Sequence, residues 1–296
     1  MMPKELNFPD ENWISTLVKQ SLEEDIKTGD VTTDVTVNHE VSATGFITAR
    51  ESGFIAGLPL VSKIYNELDS GVCVKLLVTD GQRVEAGQKI VSLTGKAASL
   101  LTGERTVLNF LQQLSGIASL TAKYVEQVSG TDCMVLDTRK TLPGYRALAK
   151  YAVRCGGGFN HRMGLYDRIL MKDNHWASRD LSIAELVATG RQKYPELAIE
   201  IEVDTMGQLA EILPLKIDWI LLDNFTHEQV AEAVSLRRTL EPDGWKTKLE
   251  SSGNVNLETV SGYAQTGVDA VSVGRLTHSV IAMDIGLDFS AGDSDD

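Results

Sequence analysis

Across residues 11–27 the apolar side chains of Trp13, Ile14, Leu17, Val18 and Leu22 recur at helical intervals among charged ones, which predicts an amphipathic helix. The stretch "KTGDVTTD" then interrupts the period with turn-forming and capping residues. Beyond it the rhythm shortens. "ATGFITA", "GFIAGLPL", "VCVKLLVTDG" and "KIVSLTG" are brief β-like runs punctuated by glycine, and they predict a small antiparallel sheet beside helices. A long helix is predicted at about 100–128, its apolar face drawn by Val107, Leu111, Leu114 and Ala118, with Gly116 either a kink or a close-packing point.

After that helix, strand, turn and helix alternate. The strand-like runs are "CMVLDT", "RILMKD", "AIEIEVD", "WILLDN", "KLESSG" and "AVSVG", and segments between them such as "LSIAELVATGRQKY" and "THEQVAEAVSLRRTL" have helical spacing. Short, nearly all-apolar strands separated by helices indicate parallel strands covered on the outside, and without a Rossmann glycine fingerprint the repetition favours a barrel. Asp137, Lys172, Glu202, Asp223, Ser251 with Ser252, and Gly274 each fall at or just past the C-terminal end of a predicted strand, the face on which such barrels build their sites. One polar residue after a strand is usually only the start of a loop; a polar residue after every strand points to a site.

Charge sharpens this picture. The chain has a net charge of −13, which opposes a general affinity for nucleic acid or anionic membrane. Residues 137–175 nevertheless hold eight Lys or Arg (Arg139, Lys140, Arg146, Lys150, Arg154, Arg162, Arg168, Lys172) against Asp137, Asp167 and Asp173. A cationic patch inside an acidic protein is local, and its purpose is local. Cys73, Cys133 and Cys155 form no CxxC pair and are odd in number, so neither a disulfide framework nor a zinc site is indicated. The start, "MMPKELNFPDENW", has no apolar segment of signal-peptide type, and no run approaches the length of a membrane span. The expectation is a cytoplasmic protein that binds neither nucleic acid nor membrane.

Arginines and lysines at strand ends suit a ligand with several phosphates or carboxylates, Arg as a planar fork and Lys as a point charge. The late loops "ESSGNV" and "SVGRLTHS" add backbone N–H groups next to glycine, ahead of helix starts expected to be capped by Asn256 or Thr277, a common barrel arrangement for phosphate. Glu202 and Asp223 then need a cation to face: magnesium on a pyrophosphate, a ribose diol or a developing oxocarbenium ion. Arg146, Lys150 and Arg154 follow at four-residue spacing and read as structural, Lys150 as part of a solvated helix face. His39, His227 and His278 read as surface or capping residues, and His175 stays open. His161 follows three glycines that permit close backbone approach to a ligand. Arg105 falls in the first turn of its predicted helix, where the macrodipole disfavours a cation, so a functional reason for it is the more credible.

The run "DTRKTLPGYRALAKYAVRCGGGFNHRMGLYDRILMKDNH" resembles the signature of the quinolinate phosphoribosyltransferase family, as do "EDIKTGDVTTD", "GERTVLNFLQQLSGIA", "EVD", "LLDNF", "ESSGN" and "GRLTHS", in order over nearly the whole chain. Tyr145 stands where leucine is common. The resemblance implies an α/β chain: residues 1–115 an α+β domain with an N-terminal helix, an open antiparallel sheet and a dimer-forming helix, 116–280 an incomplete (β/α) barrel, and 281–296 a tail packing back on the first domain. It implies a pentosyltransferase that moves the phosphoribosyl group of phosphoribosyl pyrophosphate to quinolinate and releases CO₂, leaving nicotinate mononucleotide for NAD biosynthesis. Arg105, Thr138, Arg139, His161, Arg162 and Lys172 match quinolinate contacts, with Lys140 between the substrates. Glu202 and Asp223 match the ribose side, near Mg²⁺ bound mainly through the pyrophosphate. Ser252, Gly253, Asn254, Gly274 and Arg275 match the 5′-phosphate loops. No organic cofactor is implied, and a homodimer is, with Arg105 entering the neighbouring subunit's site.

Rival readings have specific weaknesses. "VTDGQRVEAGQKIVSLTG" has the rhythm of a biotinyl or lipoyl carrier, yet "SGFIAGLP" offers no lysine to modify. A Schiff-base aldolase using Lys172 leaves the carboxylate pair and the phosphate loops without a ligand. A barrel relative acting on another ring acid, or one accompanying molybdate transport, would share many motifs but lacks the full cation cluster.

Overall fold

The computed structural model describes residues 6–177, 180–241 and 244–289. The chain divides into two compact units, one formed by residues 1–122, 147–157 and 279–296, the other by 123–146 and 158–278.

In the first unit, α1 (Glu11–Ile26) is capped by the Asp10 carboxylate, which accepts from the backbone of Asn12 and Trp13, and it buries Ile14, Val18 and Leu22 as one stripe. Asp30 caps the short α2 (Val31–Thr36) and also accepts from the Thr102 hydroxyl at 3.2 Å. Then come β1 (Ser42–Ala49), β2 (Gly53–Phe54), α3 (Leu58–Leu68), β3 (Cys73–Leu76), β4 (Arg83–Val84), β5 (Lys89–Lys96) and the long α4 (Ala97–Gln127). The "GLPL" half of "GFIAGLPL" departs from the predicted strand. Gly57 has φ +99°, Pro59 sits in the first turn, and Asp80 accepts from the backbone of Gly57 and Leu58, so this half starts α3. The four-stranded antiparallel sheet has the order β12-β1-β5-β3, where β12 (Ile285–Phe289) returns from the C-terminal region and pairs Phe289 with Gly45. Residues 290–296 of the predicted tail lie outside the described residues. On α4, Val107, Leu111, Leu114 and Ala118 are buried as predicted. Gly116 is a close-packing point: a Cβ there would lie 2.4 Å from the carbonyl oxygen of Ile281.

The second unit contains the six predicted barrel strands: β6 (Met134–Leu136), β7 (Ile169–Met171), β8 (Ile199–Val203), β9 (Trp219–Asp223), β10 (Lys248–Ser252) and β11 (Ala270–Ser272). All pairings are parallel, in the order β6-β11-β10-β9-β8-β7. Among the described residues no strand joins β7 to β6, so the barrel is incomplete; Phe159 makes a parallel bridge to Leu136 at the β6 edge. In chain order α5 (Arg146–Cys155) follows β6 but belongs, from residue 147 on, to the first unit; the second unit's helices are α6 (Asp173–Ala177), α7 (Ile183–Lys193), α8 (Met206–Ile212), α9 (His227–Leu240), α10 (Val260–Gln265) and α11 (Arg275–His278). Ser182, Thr205 and Thr226 each form a capping box with the Glu or Gln three positions on, which fixes where α7, α8 and α9 begin.

Two helix expectations are corrected. Lys150 is only 1 % exposed, because the face of α5 that carries it is packed rather than solvated. Arg105 is the ninth residue of α4, since the helix starts at Ala97, so it lies beyond the first turn where the macrodipole argument applies. No helix among the described residues is long and apolar enough to cross a membrane.

Candidate functional site

The loop after β6 is built around two fixed groups. Asp137 is fully buried and accepts from the backbone N–H of His161 at 2.9 Å and from Asn160 Nδ2 at 2.6 Å, tying segment 159–161 to the strand end. The Arg146 guanidinium donates to Thr141 Oγ1, the Met163 carbonyl and the Arg139 carbonyl, at 3.1, 3.1 and 3.3 Å. One planar group thus shapes the loop that carries Thr138, Arg139 and Lys140. The Thr138 hydroxyl accepts from the backbone of Lys140 at 3.0 Å.

Lys140 is joined to the last strand's loop. Its carbonyl accepts from the Thr277 hydroxyl at 2.8 Å, and a Cβ on Gly274 would lie 3.1 Å from Lys140 Cδ. Thr277 therefore links two loops instead of capping a helix start as predicted; it is the third residue of α11. Asn256 accepts from the backbone of Glu258 and Thr259 and so fixes the turn ahead of α10, whose N-cap position falls to Thr259 rather than to Asn256 as predicted.

Arg162 is 8 % exposed, and its Nη1 donates to the Arg168 carbonyl at 3.3 Å. Burial, then the nearby Arg139 guanidinium, lowers its pKa below the usual arginine value. Two like charges are thus held in proximity. Lys172 forms an ion pair with Glu202 across the neighbouring strands β7 and β8, and its backbone N–H donates to His175 Nδ1 at 3.1 Å. Lys172 is engaged by this carboxylate rather than presented as a free amine, as a Schiff-base reading requires.

Asp223, Ser252, Gly253 and Asn254 are gathered around Asn224. Asn224 Nδ2 donates to Asp223 at 2.8 Å, its backbone N–H donates to the Ser252 carbonyl at 2.8 Å, and its Oδ1 accepts from Asn254 Nδ2 at 3.4 Å. Asn224, Gly253 and Asn254 have φ of +58°, +84° and +55°. A Cβ on Gly253 would sit 2.1 Å from Asn224 Oδ1, so only glycine fits. Arg275 is exposed at the head of α11, and Arg105 is exposed on α4 in the other unit.

The His161 ring is turned to the barrel floor, with Nε2 3.1 Å from Glu200 and 3.6 Å from Glu250. Glu200 also pairs with Arg168 at 3.0 Å, and the Ser272 hydroxyl bonds Glu250. Sequence reasoning missed Glu200, Glu250 and Ser272; it read Arg146 as structural, which its three bonds in the loop after β6 agree with. The available signal was "IEIEV": alternation puts Glu200 on the same side of β8 as Glu202.

A parallel barrel whose strand ends gather guanidiniums, ammoniums, two carboxylates and glycine-dependent loops defines a class, the enzymes that process phosphorylated polyanionic substrates. Family models agree on the particular one. The quinolinate phosphoribosyl transferase N-terminal domain matches residues 30–115, and its C-terminal domain matches residues 117–288. The chain belongs to the quinolinate phosphoribosyltransferase family. It is 45% identical over 274 residues to the nicotinate-nucleotide pyrophosphorylase [carboxylating] of Mycobacterium leprae, covering 92% of this chain and 95% of the relative. It is 42% identical over 266 residues to a probable enzyme of the same name from Bacillus subtilis, covering 90% and 89%. The solved nicotinate-nucleotide pyrophosphorylase of Francisella tularensis superposes with a TM-score of 0.89 at 39% identity, over 97% of this chain and 99% of that one.

Proposed function

We propose that this chain transfers the phosphoribosyl group of phosphoribosyl pyrophosphate to the ring nitrogen of quinolinate with loss of CO₂, forming nicotinate mononucleotide and pyrophosphate in NAD biosynthesis. Arg139 and Arg162 carry this conclusion: two guanidiniums that repel each other are stabilised by a ligand bearing two adjacent carboxylates. Lys172 supplies a third cation, and Thr138 a hydroxyl in the same loop. Ser252, Gly253, Asn254, Gly274 and Arg275 receive the 5′-phosphate. Glu202 and Asp223 face the ribose.

As pyrophosphate departs, positive charge builds on the ribose ring, and the carboxylates of Glu202 and Asp223 stabilise it. Lys140, fixed between the loops after β6 and β11, offers its ammonium to the leaving group. Once alkylated, the ring nitrogen is cationic, and its charge stabilises the electron pair left on the neighbouring ring carbon when the bond to the carboxyl breaks. CO₂ leaves and that ring carbon takes a proton. The protein's part is to hold the dicarboxylate in line and to exclude water. Magnesium bound with the pyrophosphate supplies neutralisation of its charge; the hard oxygen donor at the end of β9 fits such an ion, and Asp223 would hold it. Arg105 of a second copy completes the cation set, which makes the homodimer the catalytic unit.

Titration calorimetry tests the assignment. Quinolinate should bind, and nicotinate, lacking one carboxylate, should bind far more weakly because it leaves cations unpaired. Equal affinities would sink it.

A further inference from the structure

The barrel floor holds a charged group that the transfer chemistry leaves unused. Glu200 and Glu250 are both at 0 % exposure and His161 at 8 %. Barrel interiors are ordinarily filled by branched apolar side chains, and two carboxylates in that position destabilise the fold relative to such side chains. Their presence calls for a role. Building on the function proposed above, we infer that Glu200 and Glu250 are positioning residues: through His161 they fix the segment 160–162 from which Arg162 reaches the substrate dicarboxylate.

The contacts run through Glu200. Ser272 on β11 bonds Glu250 on β10, and Glu250 adjoins the Glu200 carboxyl on β8. Glu200 lies 3.1 Å from His161 Nε2, with Glu250 at 3.6 Å beyond hydrogen-bond reach of it, and His161 Nδ1 accepts the backbone N–H of Arg162 at 2.7 Å. With Nδ1 accepting, Nε2 is the nitrogen that faces Glu200 as donor, and both ring nitrogens are engaged inside the protein. The other end of Arg162 is held too. Arg168, bonded to Glu200 at 3.0 Å, accepts the Arg162 guanidinium on its carbonyl at 3.3 Å. The same buried pair thus acts on Arg162 through its backbone and through its side chain.

Their contact assigns the two carboxyls different states. Two adjoining carboxyls in a buried site do not both ionise. Glu200 Oε1 and Glu250 Oε2 are buried without a hydrogen-bond partner among the described residues, and one proton shared between the carboxyls supplies what they lack. Burial and then the charge of Glu200 hold Glu250 well above the usual carboxyl range. Glu250 is therefore the neutral acid. A divalent ion held by His161, Glu200 and Glu250 is the competing use of the cluster; it would have to displace Arg168 from Glu200 and the proton from Nε2.

The test is steady-state kinetics on the full-length protein with both substrates varied. Glu250→Gln, which keeps a neutral hydrogen-bonding side chain, should retain a KM for quinolinate close to the parent's. Glu250→Ala should raise that KM about tenfold, the effect of leaving one buried polar group unpaired, with the KM for phosphoribosyl pyrophosphate nearly unchanged. Should Glu250→Ala fail to fold, Ser272→Ala, the milder cut in the same chain of contacts, should raise the quinolinate KM about threefold. The inference is overturned if folded Glu250→Ala or Ser272→Ala keeps the parent KM, if Glu250→Gln is as impaired as Glu250→Ala, or if elemental analysis finds a stoichiometric metal that Glu250→Ala loses. Absence of quinolinate turnover in the unmodified protein would instead overturn the proposed function, so the two failures are distinct.

Discussion

Replacing Gly253 by alanine places a methyl carbon where the fold leaves no room. At φ +84° an L side chain costs about 1 kcal/mol. The new Cβ would also lie 2.1 Å from Asn224 Oδ1, 2.8 Å from its Cγ and 3.1 Å from its backbone nitrogen. The Asn224 amide must move, and in moving it gives up its bonds to Asp223 and Asn254, at 2.8 and 3.4 Å. Two hydrogen bonds, one to a carboxylate, together with the backbone strain amount to about 3 kcal/mol. In a domain of this size that lowers Tm by about 5–10 °C. Kinetics separates the local effect from the global one. Because the disturbance falls on the phosphate loop and Asp223, the KM for phosphoribosyl pyrophosphate should rise by on the order of tenfold, while the affinity for phthalate, a dicarboxylate with no ring nitrogen, should stay within about twofold. A folded Gly253→Ala protein with an unaltered KM for phosphoribosyl pyrophosphate, or with phthalate affinity reduced as much, would refute this assignment of the loop.

Three further outcomes are expected. Arg139→Ala and Arg162→Ala should each weaken phthalate and quinolinate together by about 2 kcal/mol in calorimetry, since each removes a charge-assisted pair to the same ligand group. Burial pushes the Cys133 and Cys155 thiols up to about 12, which leaves a thiolate fraction on the order of 10⁻⁴ near pH 8, whereas Cys73 is exposed. A disulfide reagent should therefore titrate one thiol quickly and the other two only after unfolding, and three fast thiols would contradict the buried placement. If Arg105 serves a neighbouring site, mixing inactive Arg105→Ala and Lys140→Ala proteins under subunit exchange should restore part of the activity; exchange without recovery would exclude a shared site.

Much of this architecture was legible in the sequence because apolar runs ending in a polar residue mark parallel barrel strands, and the six predicted runs coincide with β6 to β11. What escaped has physical reasons. "GLPL" has the composition of a strand, and the Asp80 carboxylate that turns it into a helix start comes from more than twenty residues away. Lys150 follows Arg146 and precedes Arg154 at one-turn spacing, a pattern that shows a shared face but not whether the face is covered. Glu200 alternates with apolar residues along β8, which normally marks a solvated strand face, and Glu250 sits in the polar run "ESS"; here both are in the barrel interior. Thr277 carries no local sign that its partner is the carbonyl of Lys140, 137 positions earlier. Local pattern located the elements and the strand-end residues, whereas contacts distant in sequence decided which polar groups support them.

The measurement closest to the central claim uses quinolinate carrying an isotopic label in the carboxyl adjacent to the ring nitrogen, supplied to the purified protein with phosphoribosyl pyrophosphate and magnesium. The label should appear as CO₂ in an amount equal to the nicotinate mononucleotide and pyrophosphate formed, and only when phosphoribosyl pyrophosphate is present. Label retained in a nucleotide product, or released without any nucleotide, would contradict the account.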